Sequence, residues 1–115
     1  MVLFSFSKNE RLLNRSDFVN LNQLGKRYYT THFTFILRGN GLGITRLGIT
    51  ASKRIGNAVI RNKVKRLLRE FYRTHKASFP QGYDIVLSAK EGAGGLDFKK
   101  VKEELGAFLS DKTFS

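Results

Sequence analysis

The sequence predicts one α+β domain. The chain has 115 residues, the usual length of a single domain. Stretches with strand composition alternate with stretches of helical periodicity. A hydrophobic content of 41%, with 10 Phe and 4 Tyr, supplies enough large apolar side chains for one core. We therefore expect a single domain over residues 1–115, with an ordered core at about residues 11–110.

The first half of the chain predicts a helix followed by two strands. Asn14 or Ser16 is a suitable N-cap for the helix, and Gly25 is suited to end it. Residues 28–37 are rich in aromatic and β-branched side chains, as strands are. A Gly-Asn-Gly turn separates them from residues 44–51, so we expect these two stretches to pair as an antiparallel hairpin.

The second half predicts a long helix, a strand and a final helix. Asn57 is a suitable N-cap for the long helix, which we expect to continue to about His75. Residues 83–89 have strand composition. In the final helix, apolar residues recur at spacings of three and four, which is typical of a face turned to the core. These residues are Phe98, Val101, Leu105 and Phe108.

The charge is distributed unevenly along the chain. The formal net charge is +12. Residues 1–76 hold 16 basic and three acidic side chains, whereas residues 77–115 hold five basic and six acidic ones. A strongly basic region next to a nearly neutral one favours a polyanionic partner for one face of the molecule.

The predicted helix after Asn57 has two chemically different faces. At 100° per residue, Ile60, Val64, Leu67 and Phe71 fall within one narrow sector, which we expect to be buried. The opposite face is almost purely cationic. A solvated helix normally mixes charges of both signs, and a membrane-surface helix needs its apolar stripe for lipid, so nucleic acid is the favoured partner. The residues expected to bind it are Lys53, Arg54, Arg61, Asn62, Lys63, Lys65, Arg66, Arg69 and Arg73.

The composition disfavours several classes of site. The chain has no Cys, which removes thiolate nucleophiles and Cys-ligated metals. His32 and His75 are far apart, and no carboxylates are paired as in a protein nuclease, so we expect no catalytic residue, no metal site and no small-molecule cofactor. The chain has neither a membrane-spanning apolar stretch nor a secretory signal, so we expect a cytoplasmic protein with no membrane partner.

Residues 52–70 read SKRIGNAVIRNKVKRLLRE, and this block resembles the signature of the protein subunit of bacterial ribonuclease P. Flanking motifs agree with that family: RL at residues 11–12, DF at 17–18, RLG at 46–48 and YDIV at 83–86. The resemblance covers about residues 11–109, which is nearly the whole chain.

The resemblance implies an α/β sandwich with a small mixed sheet of about four strands, three helices and a left-handed βαβ crossover. It implies a subunit of a ribonucleoprotein endonuclease that removes the 5′ leader of precursor tRNA and leaves a 5′ phosphate. In that family the catalytic centre lies in the RNA subunit, which binds Mg²⁺ together with substrate phosphates, so the protein alone is expected to be inactive. The implied partners are ribonuclease P RNA and precursor tRNA, with one protein monomer in a protein–RNA heterodimer.

The resemblance also assigns roles to residues. Six residues match the family's basic signature, which binds the RNA subunit and nearby precursor tRNA, namely Arg54, Arg61, Asn62, Lys65, Arg66 and Arg69. Lys63 stands where Arg is commoner in the family. The family's leader-binding cleft lies between the first helix and the sheet. Its candidate residues in this chain are Phe18, Phe33, Phe35 and Ile36.

Two cleft positions depart from the family pattern. Asn22 and Ile36 occupy positions at which other members carry aromatic rings. Either this cleft stacks bases less well, or other rings such as Phe33 and Phe35 replace the usual ones. The simpler interpretation of Phe33 and Phe35 is that they belong to the core. For Phe18 the core and cleft interpretations are balanced.

Other functions remain as alternatives. A small basic ribosomal protein, or another protein that binds structured RNA, would share this size and charge. A stand-alone basic nuclease would have to cleave RNA without an RNA subunit. A DNA-binding protein is disfavoured because the chain shows neither a helix-turn-helix pair nor a dimerisation stripe.

Overall fold

The computed structural model describes residues 10–11 and 15–111. Within them it has three helices and a four-stranded mixed sheet, which confirms the predicted fold class. In chain order the elements are α1 (Arg15–Leu24), β1 (Lys26–Tyr29), β2 (Phe33–Gly39), β3 (Arg46–Ala51), α2 (Ala58–Thr74), β4 (Tyr83–Ala89) and α3 (Phe98–Asp111). Single 3₁₀ turns lie at Lys53–Ile55, Lys76–Ser78 and Ala93–Gly95.

The strands lie side by side in the order β1-β2-β4-β3. The β1–β2 and β2–β4 pairs are antiparallel, and the β3–β4 pair is parallel. Parallel neighbours need a long crossover connection, and here α2 supplies it. The carboxyl ends of β3 and β4 therefore lie at the same edge of the sheet, next to the start of α2.

The predicted hairpin between residues 28–37 and 44–51 is wrong. β4 lies between β2 and β3, and both of these strands pair with β4. The first stretch is two strands, because it folds back at residues 30–32 to form the β1–β2 hairpin, where the Thr30 N–H donates to the Phe33 carbonyl at 2.8 Å. The Gly-Asn-Gly turn does reverse the chain, but a reversal does not determine which strands become neighbours.

α1 begins at Arg15, so Ser16 lies inside the helix and is not its N-cap. The other predicted cap, Asn14, lies outside the described residues. Gly25 ends the helix as predicted, with its N–H donating to the Leu21 carbonyl at 2.8 Å. A Cβ at position 25 would lie 2.6 Å from that carbonyl oxygen and 2.7 Å from Cγ2 of Ile36, so only glycine fits between α1 and the sheet.

The main core lies between the sheet and the helices α2 and α3. Phe33, Phe35 and Leu37 alternate along β2 toward it and are buried. The ring of Phe35 stacks on Phe108 of α3, with centroids 4.5 Å apart. The predicted stripe of α3 is confirmed. Val101, Leu105 and Phe108 are buried in this cluster, and Phe98 packs against it.

The buried face of α2 is rotated relative to the predicted sector. Val64 and Phe71 are buried as predicted, together with Leu68 and Tyr72. Ile60 and Leu67 are only half-buried. At 100° per residue, Leu68 and Tyr72 lie on the side of the stripe opposite to Leu67, so the centre of the buried face is shifted toward Leu68 and Tyr72.

Across the described ranges, none of the helices has the length and apolar character needed to cross a membrane.

Candidate nucleic-acid interface

Two caps fix the start of α2. As predicted, Asn57 is the N-cap, and its Oδ1 accepts a hydrogen bond from the N–H of Ile60 at 3.0 Å. Just upstream, Ser52 Oγ accepts from the N–H of Arg54 at 3.3 Å. Gly56 joins the two caps with φ 151°, and a Cβ there would lie 2.9 Å from Cδ1 of Ile60. The cations before the helix are thereby held beside its N-terminus, where free N–H groups attract anions.

The side of α2 turned away from the core is cationic and accessible. Arg61 is half-buried and is oriented by a hydrogen bond from Nη1 to the Gly56 carbonyl at 3.0 Å. Lys65 and Arg73 are also half-buried. The remaining residues of the predicted set are exposed, namely Lys53, Arg54, Asn62, Lys63, Arg66 and Arg69.

Most of these cations have no carboxylate partner in the described part of the chain. Arg73 does have one, because its guanidinium binds Glu70 one turn earlier, with Nε donating to Oε2 at 3.2 Å. The hydrogen bond from Arg73 lowers the pKa of Glu70. The other seven cations of the set make no ion pair with described residues. Like charges gathered without internal neutralisation favour the binding of a polyanion.

The sheet face under α1 consists of three rows that cross the strands, as the pairing register shows. The row at the carboxyl ends of β3 and β4 carries four hydroxyl groups, those of Tyr29, Thr34, Ser88 and Thr50. The middle row consists of Arg27, Ile36, Val86 and Gly48. The third row is charged and consists of Arg38, Asp84 and Arg46.

α1 lies over the middle row and leaves the hydroxyl row beside it. Leu21 packs on Ile36 and Val86. Asp17 and Asn20 line a cavity of about 380 Å³ above the charged row. At 100° per residue, the side chains of residues 18 and 22 then project to the other side of α1, toward the hydroxyl row. We call the space between this side of α1 and the hydroxyl row the open groove.

The four predicted cleft residues lie on two different faces of the sheet. Phe18 is half-buried at the wall of the open groove and packs against the cluster under α1. Ile36 lies beneath α1 and is 4% exposed. Phe33 and Phe35 are 0% exposed on the opposite face, where they belong to the core. The structure therefore brings Phe18 and Ile36 together and separates Phe33 and Phe35 from them.

The hydroxyl row was not anticipated from the sequence. Thr50 Oγ1 and Ser88 Oγ lie 2.7 Å apart across the parallel pair, and Thr34 is buried beside them. Along β2, β3 and β4 the hydroxyl residue lies between residues of the core, so the sequence alone could have predicted that each of these hydroxyls faces away from the core. Their alignment in one row depends on β4 lying between β2 and β3, which the sequence did not reveal.

Arg46 fixes α1 on the sheet. Its Nε and Nη2 donate to the two carboxylate oxygens of Asp84 at 2.8 and 2.6 Å. Asn40 Nδ2 donates to the same carboxylate at 2.9 Å, and Asp17 Oδ2 lies 3.6 Å from Arg46 Nη1. The hydrogen bond to Asp84 raises the pKa of Arg46. This set of side chains, which we call the Arg46 network, joins α1, β3 and β4, so the wall of the open groove is held in place.

The two histidines are engaged away from the cationic face. His32 Nδ1 lies 2.6 Å from Glu104 Oε1. The ring of His75 stacks on Phe71 at 4.4 Å, and its Nδ1 lies 3.0 Å from the Phe71 carbonyl. Within residues 10–11 and 15–111, no three His, Asp or Glu side chains come together as a possible metal site.

Comparison with known proteins shows one family over nearly the whole chain. A family model described as Ribonuclease P matches residues 6–113. The chain is 42% identical over 110 residues to the "Ribonuclease P protein component" of Syntrophus aciditrophicus, covering 96% of this chain and 92% of that one. It is 44% identical over 110 residues to the protein of the same description from Geotalea uraniireducens, covering 95% and 96% of the two chains.

Solved structures agree with this result. The ribonuclease P protein from Thermotoga maritima superimposes with a TM-score of 0.82 at 35% identity, covering 91% of this chain and 99% of that one. The ribonuclease P protein of Staphylococcus aureus gives a TM-score of 0.80 at 30% identity, covering 88% and 93%. The structural likeness therefore covers about nine tenths of this chain.

Proposed function

Since the chain belongs to the ribonuclease P protein family, we propose that α2 binds the RNA subunit of that enzyme and that the open groove binds the 5′ leader of precursor tRNA. Membership makes the chain a subunit of an endoribonuclease complex whose other subunit is RNA. The observation that carries the proposal is the cationic face of α2 together with the 3₁₀ turn before it, where seven cations lack a carboxylate partner among the described residues.

α2 offers two kinds of contact to RNA. Exposed guanidinium groups such as those of Arg66 and Arg69 can each bind a phosphate through two parallel hydrogen bonds. The helix N-terminus adds free N–H groups beside Arg54. Asn62, at the middle of this face, can both donate and accept, so it can contact a sugar hydroxyl or a base edge.

The open groove offers contacts suited to a single strand. The hydroxyls of Ser88 and Thr50 can bond to sugar or base edges, and the ring of Phe18 adds apolar surface. Such contacts tolerate different base sequences, as a site for leaders of varied sequence requires. The groove ends at the carboxyl end of β3, directly before Ser52 and α2. The groove and the cationic face are therefore continuous, so the leader and the RNA subunit would be bound side by side.

The proposed reaction is hydrolysis of the phosphodiester bond between leader and tRNA, which leaves a 5′ phosphate on the tRNA. Mg²⁺ bound by the RNA subunit and substrate phosphates would supply the activated water. Our proposal gives this chain no catalytic residue: its cations hold the RNA subunit and its groove holds the leader, which together position the substrate. We further propose one protein monomer per RNA subunit, acting in the cytoplasm.

The experiment is cleavage of precursor tRNA at low Mg²⁺ by bacterial ribonuclease P RNA, with and without this protein. We expect the protein to stimulate cleavage at the mature 5′ end and to cleave nothing when added alone. Cleavage by the protein alone would contradict the division of labour and indicate a stand-alone nuclease. A lack of stimulation with a cognate RNA would overturn the proposal and favour a ribosomal or other structured-RNA-binding protein.

Paired variants test the assigned surface. Arg66→Ala/Arg69→Ala removes two exposed cations from α2, and Lys99→Ala/Lys102→Ala removes two exposed cations from α3. Both lower the net charge equally. We expect stimulation at limiting protein to fall in the first variant and to remain in the second. Equal losses in the two variants would mean that net charge, and not the α2 face, determines RNA binding.

A further inference from the structure

Tyr29 is an exposed aromatic ring at one end of the hydroxyl row. Its side chain is 64% exposed. The other large apolar side chains that are exposed in the described part of the chain are aliphatic. Tyr29 pairs with Thr34 across the β1–β2 hairpin, so both side chains point to the α1 face of the sheet. An exposed ring on a nucleic-acid-binding face is a surface on which a base can stack.

A cation is held beside this ring. Lys90 Nζ lies 5.6 Å from the Tyr29 ring centroid and donates to the Thr30 carbonyl at 2.6 Å. The Lys90 backbone N–H donates to the His32 carbonyl at 2.8 Å. Because both ends of Lys90 are bound, ring and cation are positioned before any ligand arrives. The ammonium group has three donors and this contact uses one, so a phosphate can still be bound.

The other cleft positions offer little stacking surface. Ile36 lies under α1, Asn22 has an amide where a ring would stack, and Phe18 is half-buried in the α1 cluster. Tyr29 lies on the same face as these positions and is accessible. Of the rings of Phe18 and Tyr29, that of Tyr29 is therefore the one that a base can reach.

The position of Tyr29 also determines which part of a bound strand it would meet. Neighbouring strands are about 4.8 Å apart, so β1 and β3 are roughly 14 Å apart across the sheet. β3 leads into the cations before α2, whereas β1 is the opposite edge strand. A single strand lying along the hydroxyl row would therefore have one end at α2 and the other at Tyr29.

We propose that Tyr29 stacks on a base of the precursor-tRNA leader at the end of the open groove far from α2, while Lys90 binds an adjacent phosphate. This inference rests on the proposed function, because it requires the leader to lie in the groove. The leader nucleotides farthest from α2 would then be bound by a residue that does not belong to the cationic set of α2 and the turn before it.

The test measures binding of precursor tRNA by the assembled protein–RNA complex. Two precursors are compared, one with a leader of about ten nucleotides, within the size of sites on single-strand binding grooves, and one with a single-nucleotide leader. We expect Tyr29→Ala to weaken binding of the long-leader precursor about fivefold or more and to leave binding of the short-leader precursor unchanged. Tyr29→Phe, which keeps the ring, should bind as the unmodified protein does.

Leu24→Ala is the matched control, because Leu24 is 60% exposed and lies on the side of α1 away from the open groove. It should bind both precursors normally, and thermal melts should show that all variants fold. Equal binding of the long-leader precursor by Tyr29→Ala and the unmodified protein overturns the inference, as does an equal loss for both precursors. If the unmodified protein itself does not favour the long leader, the proposed leader-binding function fails as well.

Discussion

Two charged regions of this molecule use the same residue types in opposite ways. Arg and Lys side chains are gathered on the outer face of α2 and on the 3₁₀ turn before it, and seven of them have no carboxylate partner in the described part of the chain. In the Arg46 network, a guanidinium and its carboxylates satisfy one another within the protein, and Asn40 adds a further hydrogen bond.

The two regions differ in where each charge has its partner. Charges in the Arg46 network stabilise the fold, because their partners belong to the same chain. The seven cations without a carboxylate partner repel one another in the free protein, and a polyanionic ligand would neutralise them. Substitutions in the first region should therefore act mainly on the free energy of unfolding, and substitutions in the second should act mainly on RNA binding.

The largest effect is expected from Asp84→Ala. The substitution leaves the half-buried Arg46 guanidinium without its two-point partner and removes an acceptor from Asn40. We expect the free energy of unfolding to fall by about 3 kcal/mol, measured by urea denaturation. Glu103→Ala, at an exposed carboxylate on α3, should change it by less than about 0.5 kcal/mol. Similar values for the two variants would show that the network contributes little to the fold.

A smaller and pH-dependent loss is expected from Glu104→Gln. Burial raises the pKa of Glu104, but hydrogen bonds from Thr30 Oγ1 at 2.5 Å and from His32 at 2.6 and 2.7 Å outweigh it and lower the pKa below the usual 4.5. A carboxylate whose pKa is lower in the folded state stabilises the fold above its unfolded pKa and loses that effect as the pH falls through the folded value.

The measurement is the free energy of unfolding at pH 6 and at successively lower pH, for the unmodified protein and Glu104→Gln. The difference between them should be largest at pH 6 and should shrink as the pH falls below the usual carboxyl pKa of 4.5. A difference that stays constant with pH would mean that the carboxylate charge of Glu104 is not what stabilises the β1–β2 turn.

Arg66→Ala tests the other region. Losing one phosphate contact should weaken RNA binding by about 1 kcal/mol, roughly fivefold, and should reduce the slope of log K against log salt by about 1. The free energy of unfolding should change by less than about 0.5 kcal/mol, because Arg66 is exposed. Binding titrations over a range of salt provide the slope, and an unchanged slope would mean that this side chain does not contact phosphate.

The smallest effect is expected from Lys63→Arg. The residue is exposed on the cationic face, and arginine would add a planar donor pair that a lysine lacks. We expect RNA binding to become about twofold tighter with no change in salt slope, since the charge is the same. Weaker binding would show that position 63 does not accept a two-point phosphate contact.

Local features of the fold were predictable from the sequence, and pairings between distant segments were not. Asn57 caps α2 and residues 83–89 form β4, because caps and strand composition act over a few residues. The neighbours of β2 depend on where β4 inserts, and residues 83–89 lie more than 40 positions further along the chain. No turn signal near residue 40 carries that information.

The same distinction applies to the candidate site. The cationic face of α2 follows from one helix and its period, so its residues could be named in advance. The open groove needs the register of four strands, so Tyr29 and the hydroxyl row emerged only with the structure. For Phe33 and Phe35 the sequence left two interpretations, the core, which was the simpler one, and the cleft, and the structure places both rings in the core.

Because β4 lies between β2 and β3, the open groove is completed later during synthesis than the cationic residues of α2 are made. During synthesis, the cations of α2 emerge before residues 83–89, which form β4. β2 and β3 meet only through β4, which is made later, so the groove floor does not exist until residues 83–89 have joined the sheet. A chain that lacks β4 would thus expose the cationic residues of α2 together with the edges of β2 and β3 that normally pair with β4. Unpaired strand edges of this kind promote aggregation. The proposed leader site therefore requires the chain to have been made at least as far as Ala89.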